Sequence, residues 1–206
     1  MSMRVEGYEA RPLSSWPGRW RVLARLKWTV AAVVLLFYGA WLAVQVPRSH
    51  DGRDFILLGR TFAQRHVVGS VIRVGPPYLN EFGYDGQFYY YIALDPVHAR
   101  FYIDDPSYRY TWILYPLMAR LLAFGRPALV PYTLIAVNWL ALGFGTLVLA
   151  AWLRRRACSP WFALLFGFYP GLLVSLQRDL TEPLSYALVA PAIYLLDVGG
   201  RWRIVY

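Results

Sequence analysis

The chain is poor in charged residues and nearly free of cysteine. Only 16% of its 206 residues are charged and 58% are hydrophobic, which is above the roughly 45–50% typical of soluble domains. The one cysteine, Cys158, excludes an internal disulfide and a cysteine-rich metal site, and we interpret it as a spectator. This composition argues against a soluble enzyme.

Motifs of the common nucleotide-binding and hydrolytic sites are missing as well. The sequence has no Walker A, GxGxxG or GxSxG pattern. Its three histidines, His50, His66 and His98, are spaced 16 and 32 residues apart and form no HExxH pair. We therefore expect neither a metal site nor a cofactor.

Long uncharged runs are present instead. Residues 28–46 carry no charge, and as a helix they reach about 28 Å, close to the ~30 Å hydrocarbon core of a bilayer. The run is longer than the apolar part of a signal peptide and no small-residue cleavage site follows, so we interpret it as an uncleaved anchor. Further uncharged runs at 129–153 and 161–177, and a run at 180–196 that is interrupted only by Glu182, predict an all-α membrane protein with about four transmembrane helices.

The basic residues cluster on one side of this arrangement. The N-terminal tail, the arginines at 154–156, Arg201 and Arg203 supply eleven basic residues against three acids, whereas the other side has ten against nine. Basic residues collect on the cytoplasmic side, so both termini are predicted to be cytoplasmic, and we interpret the membrane as a bacterial plasma membrane. Because this charge encodes topology, the net charge of +9 does not indicate nucleic-acid binding.

This topology divides the chain into four parts. Residues 1–27 form a partly disordered cytoplasmic tail, 28–46 the first transmembrane helix, 47–128 an outer loop, and 129–206 three further transmembrane helices with the start of another. The chain is therefore expected to be part of a longer protein. Within the loop, residues 112–124 are too short to cross a bilayer and predict an amphipathic helix in the membrane interface.

The first candidate site follows the first span. Phe55, Leu58 and Phe62 have the i, i+3, i+7 spacing of an amphipathic helix, for which Asp51 or Asp54 would be the N-cap. Both acids also lie near the outer end of the span. Either is therefore an alternative candidate for an active carboxylate at the interface.

The second candidate site is the aromatic run at residues 83–96, GYDGQFYYYIALDP. An acid such as Asp85 inside so aromatic a run is expected to have little water around it, which favours proton uptake by a general base. The tyrosines at 89–91 can stack on a sugar ring or anchor in the headgroup region. For them we favour the aromatic belt of a membrane interface.

The third candidate site is the turn RDLTEP at residues 178–183, on the predicted outer side. Charged residues at a membrane boundary are costly and are candidates for function. Arg178 would either stabilise the turn by pairing with Asp179 or Glu182, or bind a substrate. Together with Arg109, these groups suit chemistry on a lipid-linked phosphate, because the guanidinium fork matches phosphate oxygens.

The order of these motifs resembles the N-terminal part of GT-C-type integral membrane glycosyltransferases, in particular the GPI-anchor mannosyltransferase branch and its bacterial relatives. YDGQFYYYIA at 84–93 resembles their W-D-x-x-W-Y-x-x-I-A loop motif, LYPL at 114–117 their interfacial helix, and LTEPL at 180–184 their outer turn. Asn138, on its own a helix-packing residue, is similar to an asparagine early in their next span. Tyr84 stands where the family has tryptophan.

The resemblance implies inverting sugar transfer from a polyprenyl-phosphate donor, with membrane lipid as surroundings and without a metal. Asp85 would take a proton from the acceptor hydroxyl, and Asp54 is the alternative, since other branches use an acid nearer the first span. The substrate-binding residues would be Tyr84, Gln87, Tyr89, Arg109, Arg178, Asp179 and Glu182. The sugar and the acceptor stay open, and a non-catalytic membrane assembly subunit or degenerate half-module is the alternative function.

Overall fold

The computed structural model of the protein describes residues 17–49, 52–69 and 78–199. Over these residues the fold is all-helical, as predicted, with a single β-bridge between Gly59 and Asn80 and no strand. Asp51, most of the basic tail, and the arginines after the last helix lie outside the described residues. The predicted start of a further span lies outside them too.

The described part of the chain forms ten α-helices. They are α1 (Pro17–Gln45), α2 (Arg53–Ile56), α3 (Arg60–Gly69), α4 (Gly86–Leu94), α5 (Pro106–Arg109), α6 (Leu114–Leu122), α7 (Val130–Arg155), α8 (Leu164–Gly167), α9 (Pro170–Gln177) and α10 (Glu182–Gly199). Because α1 begins at Pro17, the last part of the predicted tail is helical and continuous with the first span.

Helices α1 and α7 are long and apolar enough to cross a membrane. They are antiparallel, since Gly39 of α1 faces Trp139 while Leu35 faces Gly143. Any larger side chain at Gly143 would collide with Leu35, because a Cβ there would lie 2.5 Å from it. The indole nitrogen of Trp139 donates a hydrogen bond to the Leu35 carbonyl oxygen, which fixes the pair further.

The third predicted span is a bent pair of helices rather than one straight helix. The segments Pro160–Gly167 and Pro170–Gln177 meet at 46°, with Pro170 at the start of the second. The structure therefore has two helices that could span a membrane, or three if the bent pair is one span. Helix α10 covers the fourth predicted run but is not among these candidates, so the count of four stays a prediction.

The predicted amphipathic helix of the outer loop is broken into α2 and α3. The chain turns at Leu57, whose φ of 57° is left-handed. Phe55 and Leu58 are buried, as the pattern predicted, but they do not lie on one continuous helix. Phe55 is in α2, and Leu58 is in the turn that follows it. The N-cap of α2 is Gly52 and not Asp54, so the prediction of an Asp54 cap is wrong.

The aromatic run forms α4, and every residue of this helix is buried. The tyrosines at 89–91 pack inside the protein, so the prediction of a lipid-facing aromatic belt is wrong for them. Arg120 of α6 donates hydrogen bonds to the carbonyl oxygens of Ala93 and Leu94. These bonds satisfy backbone acceptors at the C-terminal end of α4 that have no partner within the helix.

Helix α6 has two different faces. Tyr115 and Ala119 are buried against α4 and α7, while Leu121 on the same helix is 74% exposed. Phe124, just after the helix, is 85% exposed. This asymmetry agrees with the amphipathic pattern of the sequence, and the position of α6 in a membrane interface stays a prediction.

Candidate functional site

Two of the three predicted clusters are in direct contact. Gly86, the first residue of α4, packs against the turn between α9 and α10, where a Cβ would lie 2.2 Å from the carbonyl oxygen of Arg178. Only glycine allows this approach, since so short a distance forces the backbone apart. The loop that carries Asp85 and the turn that carries Arg178 therefore have a fixed relative position.

Asp85 immediately precedes α4, but its carboxylate makes no capping bond to the helix. Its Oδ1 atom instead accepts a hydrogen bond of 2.9 Å from Nη2 of Arg109. The Asp85 side chain is 51% exposed, so the expectation of little water around it is wrong. The buried guanidinium of Arg109 thus binds one oxygen of a carboxylate that is accessible to solvent.

Arg109 is shared with a second acid that the sequence interpretation did not identify. Its Nε and Nη2 atoms donate to the two carboxylate oxygens of Asp104 at 2.9 and 2.7 Å, and its guanidinium lies 4.5 Å from the centre of the Phe88 ring. Burial alone would raise the pKa of Asp104, but the hydrogen bonds from Arg109 and the backbone outweigh it and the pKa is lowered. In the sequence, the Asp-Asp-Pro motif at residues 104–106 could have indicated this second acid.

This pairing changes the role expected for Arg109. Burial alone would lower the pKa of Arg109, but its hydrogen bonds to Asp104 and Asp85 outweigh burial and raise the pKa. The guanidinium is therefore a permanent cation whose Nε and Nη2 are already engaged, and only Nη1 is buried without a partner. Arg109 therefore orients the carboxylates of Asp85 and Asp104, and this arrangement is less suited to binding a phosphate.

Two further predicted contact residues lie in the interior. Gln87 is buried, and its amide accepts a hydrogen bond from the Gly59 backbone and donates one to the Phe82 carbonyl oxygen. Tyr89 is buried next to Arg109 and Thr181; burial raises its pKa, although both neighbours act in the opposite direction. Gln87 thus shapes the loop, and Tyr89 forms the inner wall behind Arg109.

Asp179 is completely buried in the turn between α9 and α10, with a left-handed φ of 49°. The Tyr115 hydroxyl lies 3.4 Å from its Oδ1 and donates to it, while Oδ2 has no partner. Burial raises the pKa of Asp179 well above its usual range, because the interior solvates the charged carboxylate poorly. Asn138 donates to the Tyr115 hydroxyl and to the Leu180 carbonyl oxygen, and so joins α7 to this turn.

Arg178 pairs neither with Asp179 nor with Glu182, and within the described chain it forms no ion pair. Its guanidinium lies 5.9 Å from the ring centre of Tyr84, which is about half exposed. Glu182, at the start of α10, is half-buried and its Oε2 atom has no hydrogen-bond partner. The interpretation of Arg178 as a turn-stabilising ion-pair residue is therefore wrong.

Arg178 and Asp54 line a common cleft of about 270 Å³ between the C-terminal end of α1, α2 and α9. Arg48, which ends a short 3-10 turn after α1, lies in the same lining and was not predicted. The other lining residues are Trp41, Gln45, Ser49, Phe55 and Gln177. The structure thus brings Asp54 together with Arg178, while Asp85 lies outside this lining.

Comparisons of the chain with known protein families, with curated proteins and with solved structures found no match.

Proposed function

We propose that the chain is a membrane glycosyltransferase, or the N-terminal part of one, that transfers a sugar with inversion from a polyprenyl-phosphate donor to an acceptor at the outer membrane face. The observation that supports this most is the half-exposed carboxylate of Asp85, oriented by Arg109 beside the turn of Arg178. A general base and an unpaired cation then lie at the same end of the apolar helices.

Asp85 is the general base of this proposal. Its Oδ1 is held by Arg109, and among the described residues Oδ2 has no hydrogen-bond partner. Oδ2 would accept the proton of the acceptor hydroxyl. The hydroxyl oxygen of the acceptor then attacks the anomeric carbon of the sugar, and the bond from that carbon to the phosphate oxygen breaks. Arg109 also donates to Asp104, so the guanidinium is shared between two carboxylates and does not form an exclusive ion pair with Asp85.

The proposal places the site outside and both termini in the cytoplasm of a bacterial cell, with α10 as a fourth span. The arginines at 154–156 lie at the C-terminal end of α7, a helix of 26 residues and about 39 Å at ~1.5 Å per residue, where Arg156 forms an ion pair with Asp197. Exposed Cys158 should stay unlabelled by an impermeant thiol reagent on intact cells. Ser107→Cys in a Cys158→Ser background should be labelled, and the reverse pattern would overturn the orientation.

The catalytic test is transfer of labelled sugar from a polyprenyl-phosphate donor by membranes with matched expression of each variant. Asp85→Asn keeps the size of the side chain and removes its basic charge, so activity should fall at least about a hundredfold. The control is Asp105→Asn, because Asp105 caps α5 through the Tyr108 amide and asparagine caps equally well. Full activity in Asp85→Asn with loss in Asp54→Asn would move the base to Asp54, and full activity in both would refute the mechanism.

A non-catalytic membrane subunit is the second candidate function, and the surface of α10 favours it. This helix exposes Tyr186, Val189 and Leu195, among other apolar side chains, over much of its length. Such a surface fits a partner helix as well as lipid. A stable complex with another membrane protein that survives Asp85→Asn, without any sugar transfer by the wild type, would support this function instead.

A further inference from the structure

The cleft lined by Arg48 and Arg178 contains two arginines that form no ion pair within the described residues. No ion pair of either residue occurs in the described ranges, whereas Arg109 is bound by two carboxylates. An arginine that reaches the surface beside an apolar span lies at the depth of the lipid phosphates. Two such arginines in one cleft form an anion site whose ligand is not supplied by the described part of the chain.

The remaining lining agrees with a phosphate ester as ligand. Gln45 and Gln177 add neutral amide donors, and Asp54 is the one acid, so the lining has an excess of positive charge. Trp41 and Phe55 pack edge to face at 5.9 Å and form an apolar wall. The volume of about 270 Å³ is close to the lower limit of about 300 Å³ for small-molecule sites, which suits a headgroup and leaves a hydrocarbon chain in the bilayer.

The position of Arg178 is fixed from inside the protein. Its carbonyl oxygen abuts Gly86, the next residue has the left-handed backbone of Asp179, and the Leu180 carbonyl oxygen is bound by Asn138. The Leu180 amide also donates to the Ser175 carbonyl oxygen. Because the backbone is ordered before a ligand arrives, Arg178 loses little freedom on binding.

We propose that this cleft binds the phosphate group of a membrane lipid, with Arg48 and Arg178 as its cationic ligands. The inference deepens the proposed function, because it locates the phosphate of the lipid donor, and it rests on that function for the identity of the lipid. In the sugar donor this phosphate is a diester, and the polyprenyl phosphate that leaves after sugar transfer is a monoester, which carries more negative charge than a diester. The site therefore favours polyprenyl phosphate over phosphatidylglycerol, and both over inorganic phosphate, which lacks an anchor in the bilayer.

The test is equilibrium binding to the full chain in detergent, measured by native mass spectrometry with three probes: polyprenyl phosphate, phosphatidylglycerol and inorganic phosphate. Arg48→Gln and Arg178→Gln should each weaken polyprenyl phosphate binding at least about tenfold, the effect of one charge-assisted contact of about 1.4 kcal/mol. The matched control is Arg126→Gln, which removes the same charge from an exposed arginine outside the cleft lining. It should leave the affinity unchanged.

Unchanged binding in both cleft variants, or an equal loss in Arg126→Gln, would overturn the inference. Inorganic phosphate that binds as tightly as the lipid, with the same dependence on both arginines, would overturn the lipid as the source of the phosphate. Thermal unfolding of each variant checks folding, and Arg178→Lys should restore part of the affinity because it restores the charge without the planar fork.

A further comparison separates this inference from the proposed function. Asp85→Asn should abolish sugar transfer and keep polyprenyl phosphate binding, because Asp85 lies outside the cleft lining. Binding that depends on the two arginines, without any transfer by the wild-type full-length protein, would refute the glycosyltransferase and leave the phosphate site. Transfer that depends on Asp85 but on neither arginine would refute the phosphate site and leave the enzyme.

Discussion

The arginines near the proposed site occupy two regions that differ in how their charge is balanced. Arg109 has a side chain that is only 6% exposed, and it is held by Asp85 and Asp104 at 2.9 and 2.7 Å. Arg48 and Arg178 line an open cleft, and in the chain as described neither contacts a carboxylate. Arginine is thus paired directly with carboxylates in one region, and in the other it lines a cleft without forming an ion pair.

This difference separates the structural use of a cation from its use in binding. A buried arginine with two carboxylates has its charge neutralised and serves to orient them, and removing it exposes the acids to mutual repulsion. A partly exposed arginine without a counter-ion contributes little to folding and is available to an external anion. We therefore expect changes at Arg109 to affect stability and changes at Arg178 to affect ligand binding.

Arg109→Gln should produce the largest loss of stability, about 2–4 kcal/mol, because Asp85 and Asp104 then face each other without the cation. Denaturant unfolding in detergent measures this change. Arg178→Gln is the matched control and should cost less than about 1 kcal/mol, since it breaks no ion pair in the described structure. Equal losses in both variants would remove the distinction between the two regions.

Gly86→Ala should destabilise the protein by about 1–3 kcal/mol, because the added methyl group would lie 2.2 Å from the Arg178 carbonyl oxygen. The displaced turn should also weaken polyprenyl phosphate binding in the cleft. Gly39→Ala is a control within α1, where the nearest atom is a side-chain ring atom at 3.3 Å, and it should change stability by less than about 1 kcal/mol. Wild-type stability and binding in Gly86→Ala would show that the two regions are not mechanically linked.

Asp179→Asn should change how stability depends on pH. Burial raises the pKa of Asp179 in the folded state above its ordinary value of 3.8, so above that pH the unfolded chain releases a proton that the folded chain keeps. Stability therefore falls as pH rises toward the folded pKa, and asparagine removes this contribution. The difference in unfolding free energy between variant and wild type, measured from pH 5 to pH 8, should shift in favour of the variant. A constant difference would mean that the carboxyl is ionised in the folded protein.

Asp54→Asn should have the smallest effect on stability, less than about 1 kcal/mol. Asp54 is exposed in the first turn of α2, where Gly52 has the N-cap position, so solvent screens its interactions and an asparagine of the same size can still form hydrogen bonds there. Denaturant unfolding in detergent measures the change. A loss above about 2 kcal/mol would indicate that the Asp54 carboxylate stabilises the fold, and would contradict this prediction.

Much of the helical framework could be predicted from the sequence, because apolar length and the absence of charge are local properties. The uncharged run at 129–153 corresponds to α7, and the run at 161–177 corresponds to the bent pair. The break between α2 and α3 was missed, since the apolar spacing of Phe55 and Phe62 fits one continuous helix. Only packing against the loop before α4 turns the chain at Leu57, whose carbonyl oxygen accepts a hydrogen bond from the Tyr84 amide.

The aromatic run shows why burial could not be inferred from composition. Tyrosines between charged loop residues are typical of a membrane interface, yet tertiary contacts with α6 and α7 bury all three tyrosines at 89–91. Asp85, expected to lie among them, is instead half exposed at the end of the helix. One turn of helix separates the two environments, and no pattern in the sequence marks that boundary.

The sequence by itself determined that this is an all-helical chain with membrane-spanning character, and it identified Asp54, Asp85 and Arg178 as candidates, because hydrophobicity and charge act through local composition. Only the tertiary structure decided which charges are paired. Asp85 and Arg109 are 24 residues apart in the sequence. The two arginines that line the cleft, Arg48 and Arg178, come from opposite halves of the chain. Ion pairing requires two groups within about 4 Å, and for Asp85 and Arg109 only the tertiary packing of the segments around α4 and α5 sets this distance.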